Sequence, residues 1–391
     1  MGASSTAGIR GWGARHHRSG RYASRYTGGM RRLPLALLAP TLLAACNGDK
    51  PPPNTFDSGD TGLSECGRVR GTTGILMYDA ASPDTVHYPV DVPDAADHTS
   101  GIAGPLGDEH TFLSVTDGQA LLSADGGCNW AEQGSLPSDG DWTLVTAGPR
   151  AYAFDRGQAR GGYTDDLGLS WTPFETGAAF LAAPTASDRD SSWLRGVRDD
   201  GVASSTDGGD HWTVDGTLPE GSGAIHDADA LASDLDVMAL AAELGVWTSL
   251  NGGLTWDDHT EVVTAAVLAT EPVAGVAAAV SADDAHTFAA LVRASDGVYT
   301  VARSTDSGAS WSRLADSDGI GLDDHSNLWI VPGAPDTVVT TWVEPGAEFP
   351  LHLNITVAGE GTHVIKVALY EAMNGMVFGG ERWIAAVDAG G

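Results

Sequence analysis

Basic residues are scarce in this chain: 21 Lys and Arg stand against 52 Asp and Glu among 391 residues, a formal net charge of −31 at pH 7. Recognition of nucleic-acid phosphate or anionic headgroups requires clustered Lys and Arg, so neither nucleic acid nor direct surface contact with a membrane is expected. Cysteine is almost missing too. Three residues, Cys46, Cys66 and Cys128, exclude a disulfide-built scaffold and, with no His-x-x-Cys spacing, suggest no metal site. No 3.6-residue apolar stripe runs longer than a few turns, which excludes a helical core. A G-x-S-x-G nucleophile elbow, a phosphate loop and a basic-aromatic stripe are all lacking.

What is present begins with an address. After Met30 come Arg31-Arg32 and an apolar run from Leu33 to Ala45 that is too short for a stable membrane span, the pattern of a secretory signal peptide. Leu43-Ala44-Ala45-Cys46 resembles the lipobox of bacterial lipoproteins, which implies lipidation of Cys46 and anchoring in the bacterial envelope. Asn47 after that Cys resembles the outer-membrane sorting pattern, facing either the periplasm or the outside. Residues 1–29 hold five Arg and no acid, so they read as a misassigned start rather than a domain. Residues 30–45 form the leader. Residues 46–66, rich in Pro, Gly and Asp, read as a tether, and 67–391 as the folded body. Removing residues 1–45 takes 7 of the 21 basic residues and none of the 52 acids, leaving 14 against 52 and a net charge of −38. The acids serve solubility or attract divalent or polycationic partners. In an oxidising compartment Cys66 and Cys128 form a bridge or remain two separate buried thiols.

One motif recurs five times in the body: Ser/Thr-x-Asp/Asn-x-Gly-x-x-Trp. Its copies are Ser123, Asp125, Gly127, Trp130; Thr164, Asp166, Gly168, Trp171; Ser205, Asp207, Gly209, Trp212; Ser249, Asn251, Gly253, Trp256; and Ser304, Asp306, Gly308, Trp311. Starts 41, 41, 44 and 55 residues apart are the period of a propeller blade. Around each copy the frame is an apolar strand, an acid-plus-Gly turn, a second strand, the motif and a closing strand. In the motif, Asp accepts backbone N–H bonds, Ser or Thr supplements it, Gly takes a positive φ, and Trp covers the turn. The stretch Thr264 to Ala279 reads as strand rather than helix because of Pro272, Gly275 and its Val residues.

The motif resembles the Asp-box, or BNR-repeat, β-propellers over residues 105–315, and that resemblance implies that the boxes are structural turns away from the ligand face. A sixth blade follows from Thr337–Val343, Leu351–Val357 and Thr362–Leu369. A seventh combines Arg382–Val387 with Gly74–Tyr78 and Val86–Val90 from the other end of the body. The fold class is therefore all-β: one β-propeller, most simply with seven four-stranded blades closed by its two ends.

Function is less legible. The first-hairpin turns carry Asp117, Asp155, Asp200, Glu243, Asp296, Glu344 and Asp388, one acid per blade, expected together on the face opposite the boxes. Local turn chemistry accounts for them; as a ligand ring they would take Ca²⁺ or a cationic partner. The runs His226-Asp227-Ala228-Asp229 and Asp323-Asp324-His325 look ligand-like and are read as solvated loops. Sialidases, xyloglucanases and photosystem II assembly-factor propellers are the Asp-box relatives this chain resembles. It departs from sialidases, since the Arg-Ile/Leu-Pro element matches only Arg32-Leu33-Pro34 in the leader, and Arg150, Arg156, Arg160, Arg195, Arg198, Arg293 and Arg303 are scattered. It also lacks the basic patch that the assembly factors imply. The expectation is a non-catalytic envelope binding or assembly scaffold with a monomeric body and a protein or glycan ligand. The alternative is a glycan-active hydrolase of sialidase or xyloglucanase type, or a lectin.

Overall fold

The computed structural model describes residues 74–79, 82–87, 89, 99–116, 118–137, 140–316, 322–323, 325–344, 351–367, 370–379 and 382–389. The leader, the tether with Cys46 and Cys66, and Asp117 lie outside these residues. All described residues belong to one compact unit, 61–391.

The strands form seven four-stranded antiparallel sheets. The N-terminal pair is β1 (Ile75–Asp79) and β2 (Ser82–His87). Blade 1 is β3 (Thr99–Ala103), β4 (Phe112–Thr116), β5 (Gln119–Ser123) and β6 (Ala131–Ser135). Blade 2 is β7 (Trp142–Ala147), β8 (Arg150–Asp155), β9 (Arg160–Thr164) and β10 (Thr172–Glu175). Blade 3 is β11 (Thr185–Ala186), β12 (Leu194–Arg198), β13 (Gly201–Ser205) and β14 (Thr213–Gly216). Blade 4 is β15 (Ile225–Leu231), β16 (Asp234–Ala242), β17 (Gly245–Ser249) and β18 (Asp257–Asp258), followed by helix α1 (Thr260–Ala266). Blade 5 is β19 (Ala274–Val280), β20 (Phe288–Arg293), β21 (Tyr299–Ser304) and β22 (Ser312–Asp316). Blade 6 is β23 (Leu328–Val331), β24 (Ala334–Val343), β25 (Leu351–Val357) and β26 (Gly361–Val367). Blade 7 joins β27 (Tyr370–Gly379) and β28 (Arg382–Ala389) to β1 and β2. The chain is a seven-bladed β-propeller.

Closure is a strand-pairing event. β1 lies antiparallel on β28, with Leu76 opposite Ala385 and Tyr78 opposite Trp383. The last blade is thereby assembled from both ends of the body, and its edge is covered.

The apolar core is divided among the blade interfaces. One cluster joins Phe154, Tyr152 and Phe174 of blade 2 to Leu194 and Ala203 of blade 3. Another joins Ala239 and Ala241 of blade 4 to Ala278, Phe288 and Ala290 of blade 5. Leu76, Tyr78, Trp383 and Val387 of blade 7 pack on Val339, Leu353 and Ile355 of blade 6 in the same way. Strands such as β20 are apolar and buried on nearly every residue, because each middle strand has a blade on both faces.

One sequence expectation needs correcting. Thr264–Ala266 belong to α1, and strand begins only at Ala274. The Asp258 carboxylate accepts the Thr260 N–H at 2.8 Å and starts the turn, while Glu261 in the first turn suits the helix dipole. Buried Val263 anchors the helix to the blade. This longer connection between blades 4 and 5 accounts for the 55-residue interval before the last box.

Candidate functional site

The boxes themselves are fully engaged in structure. In each, the Ser or Thr hydroxyl accepts the N–H of the box Gly at 2.9 Å and donates to the Asp or Asn at 2.8 to 3.0 Å. That acceptor also takes the N–H of the residue before the Trp, at 2.8 to 3.0 Å. The residue before the Trp, left unspecified in the motif, contributes its side chain as well. Asn129, Ser170 and Ser310 each donate to the box carboxylate at 2.6 Å. In the Asn251 box the polarity reverses, and the amide donates to Thr255 Oγ1 at 2.8 Å. Hydrogen bonds from His211 hold Asp207 well below the usual carboxylate range, at about 2, and the same contact raises the His211 pKa.

Five of the turn acids are held in local contacts. Asp155 is buried and receives Arg160 at 2.6 and 2.8 Å. Asp200 is gripped by Arg198 at 2.9 and 2.8 Å. Glu243 accepts the Ala224 N–H, Asp296 accepts the Val298 N–H within its own turn, and Glu344 meets His352 at 3.4 Å. Asp388 lies within β28. Among the described residues no three His, Cys, Asp or Glu come together in a metal-binding group. Cys128 is disulfide-bonded; Cys66 is outside the described residues.

The arginines are dispersed. Arg195 reaches from blade 3 to Leu235 O and Asp236 of blade 4, and Arg303 from blade 5 to Asp336 of blade 6. Arg150 pairs with Asp165 at 2.7 Å and lies over the Tyr163 ring. These side chains tie blades or strands together.

A cavity of about 600 Å³ runs along the axis, lined by the innermost strands β3, β7, β11, β15, β19, β23 and β27. No box residue lines it. Asp155 is the only described turn acid that does. Polar groups on its wall include Asp227, Asp229, Arg156, Asn327 and Asn374, with Trp329 among the apolar ones. Arg156 is held by Thr143 Oγ1 and donates to Asn374 O at 2.7 Å. Asn327 donates to Met373 O at 3.0 Å.

Asp227 and Asp229 correct a second expectation. His226-Asp227-Ala228-Asp229 is not a loop; it is the middle of β15. Alternation along the strand sends the two carboxylates to one side. Asp227 Oδ2 accepts the Ala278 N–H at 3.1 Å, and Asp229 Oδ2 the Val280 N–H at 2.8 Å, both from β19 of the next blade. Burial pushes the Asp227 carboxyl up to about 7, with the Asp229 charge adding to the rise, and pushes Asp229 up to about 6. Asp323, in the other ligand-like run, caps the local turn through the His325 N–H and Ser326.

No protein-family model matches the chain, and no curated protein matches it. Solved structures do. YCF48 from Cyanidioschyzon merolae aligns with a TM-score of 0.55 and 14% identity over 77% of this chain and 96% of that one. The GH74 xyloglucanase from Xanthomonas campestris aligns with a TM-score of 0.53 and 13% identity over 74% of this chain and 50% of that one. An ancestral GH74 enzyme gives 0.50 and 14% over 71% and 39%. This chain therefore spans half or less of the two GH74 proteins. At such identities the likeness is one of fold.

Proposed function

We propose that this protein is a lipid-anchored propeller of the bacterial envelope, sorted to the outer membrane, that binds a partner in its axial cavity without transforming it. The observation that carries this reading is the division of labour just described. Boxes, five turn acids and most of the arginines described are committed to local or inter-blade bonds, while the axial cavity keeps polar groups from several blades on its wall. Propellers host unrelated functions on one scaffold, so the cavity rather than the fold supports the reading. Cys46 supplies the anchor, and a Cys66–Cys128 bridge ties the start of the body to the first box. Metabolic labelling with a fatty-acid analogue is expected to mark the protein and to leave a Cys46→Ser variant unmarked.

A second reading is favoured by one feature. Two carboxyls with raised pKa values in a cavity are the raw material of general acid–base chemistry, so a glycan hydrolase is the competitor. Incubation with a panel of glycans, scored for both retention and release of reducing sugar, separates the two. Retention of a glycan without cleavage would make the partner a carbohydrate; release of reducing sugar would overturn the non-catalytic reading.

A further inference from the structure

The Asp227–Asp229 pair has a structural task that does not account for its chemistry. Innermost strands present an unpaired edge to the axis, and the two carboxylates cover part of the β19 edge by accepting the Ala278 and Val280 N–H groups. A neutral acceptor such as Asn would do that equally well. Two ionisable groups two residues apart on one strand instead place like charges together in a partly apolar cavity, a cost relieved by protonation at low pH or by a cation once both are ionised.

The surrounding charges do not supply that cation. Arg156, on the cavity wall, bonds Thr143 and Asn374 O and has Asp141 at 3.9 Å as its ion-pair partner. Arg195 and Arg198 of β12, the strand beside β15, are committed to Asp236 and Asp200. His226 of the same strand bonds Gly275 O at 2.8 Å. β19 contributes no charged side chain between Ala274 and Val280, and the Asp234 and Asp236 acids of β16 add only negative charge. Among the described residues no third carboxylate, His or Cys completes a metal site with the pair, which turns the choice from a divalent ion to an organic cation. Trp329 adds an aromatic surface on the same wall.

We propose that the axial cavity binds a protonated basic side chain, Lys or Arg, presented by a partner peptide, with Asp227 and Asp229 as its counter-ions. This rests on the binding reading above. The cavity is within the size range of small-ligand pockets, and bare backbone on the inner strands offers hydrogen bonds to the peptide. Because both carboxyls must ionise to pair with the cation, binding releases protons below neutral pH and strengthens as pH rises.

The test is calorimetric titration of the full chain in detergent with N-acetyl-lysine amide and N-acetyl-arginine amide, using N-acetyl-norleucine amide as the uncharged control. Saturable binding is expected for the cationic probes only, tightening about a hundredfold between pH 5.5 and pH 8. An Asp227→Asn/Asp229→Asn variant, which keeps both acceptors for β19, should lose at least about tenfold in affinity. Equal binding of norleucine amide, or unchanged affinity in the variant, would overturn the proposal. Should the variant fail to fold, the unaltered protein still decides. At pH 6 the binding heat must change with the ionisation enthalpy of the buffer, and a buffer-independent heat would overturn it. Loss of this probe discrimination leaves the non-catalytic reading standing, whereas sugar release in the glycan assay defeats that reading by itself.

Discussion

The glycine of each box serves two masters. Its φ lies between 81° and 99° in all five copies, the left-handed region that a tight turn demands. It also faces the preceding blade: a Cβ there would come within 2.8 Å of Leu113 at Gly168, 2.9 Å of Phe174 at Gly209 and 2.4 Å of Val202 at Gly253. The box is therefore an inter-blade contact as well as a turn. Gly253→Ala is expected to destabilise the body by roughly 2–3 kcal/mol through combined backbone strain and overpacking, read as a lowered denaturant midpoint with an unchanged slope. Sequence reasoning found the turn, because Asp, Gly and Trp at fixed offsets are a local signal. It did not find the inter-blade contact, since the touching residue comes from a different repeat.

Strands differed sharply in how readable they were. The two middle strands of each blade stand out as apolar runs between Gly turns, and the joining of β1 to β28 followed from a hairpin missing at one end and present at the other. The innermost strands were nearly invisible. β11 is two residues long, and β15 reads Ile-His-Asp-Ala-Asp-Ala-Leu, where only two small alanines, Ala228 and Ala230, mark the face that packs in the core. The candidate site is hidden with them, because a half-buried acidic strand has the composition of a loop. The β15–β19 contact has a measurable consequence. Asp227 and Asp229 carry raised pKa values in the folded protein against about 3.8 ordinarily, so the native state holds more protons than the unfolded one between these limits. Their contribution therefore weakens stability as pH rises from about 4 through about 7 and levels off above. Chemical denaturation from pH 4 to pH 8 should show this decline, and Asp227→Asn/Asp229→Asn should flatten it. An identical pH profile in the variant would remove these two groups as its source.

For the whole molecule, seven blades place the packed core and the cavity proposed for binding in different regions. Clusters between adjacent blades hold the ring, boxes clasp its periphery, and the axis collects polar groups from several inner strands. Strong net negative charge fits this arrangement with a cationic partner and opposes an anionic one. The most direct measurement compares two variants side by side for thermal midpoint and for affinity toward N-acetyl-lysine amide. Asp166→Asn, in a box, should lower the midpoint and leave the affinity of the folded protein unchanged, while Asp227→Asn/Asp229→Asn should abolish binding at an unchanged or higher midpoint. Loss of affinity in a folded Asp166→Asn protein, together with full binding by the axial variant, would contradict an axial binding site.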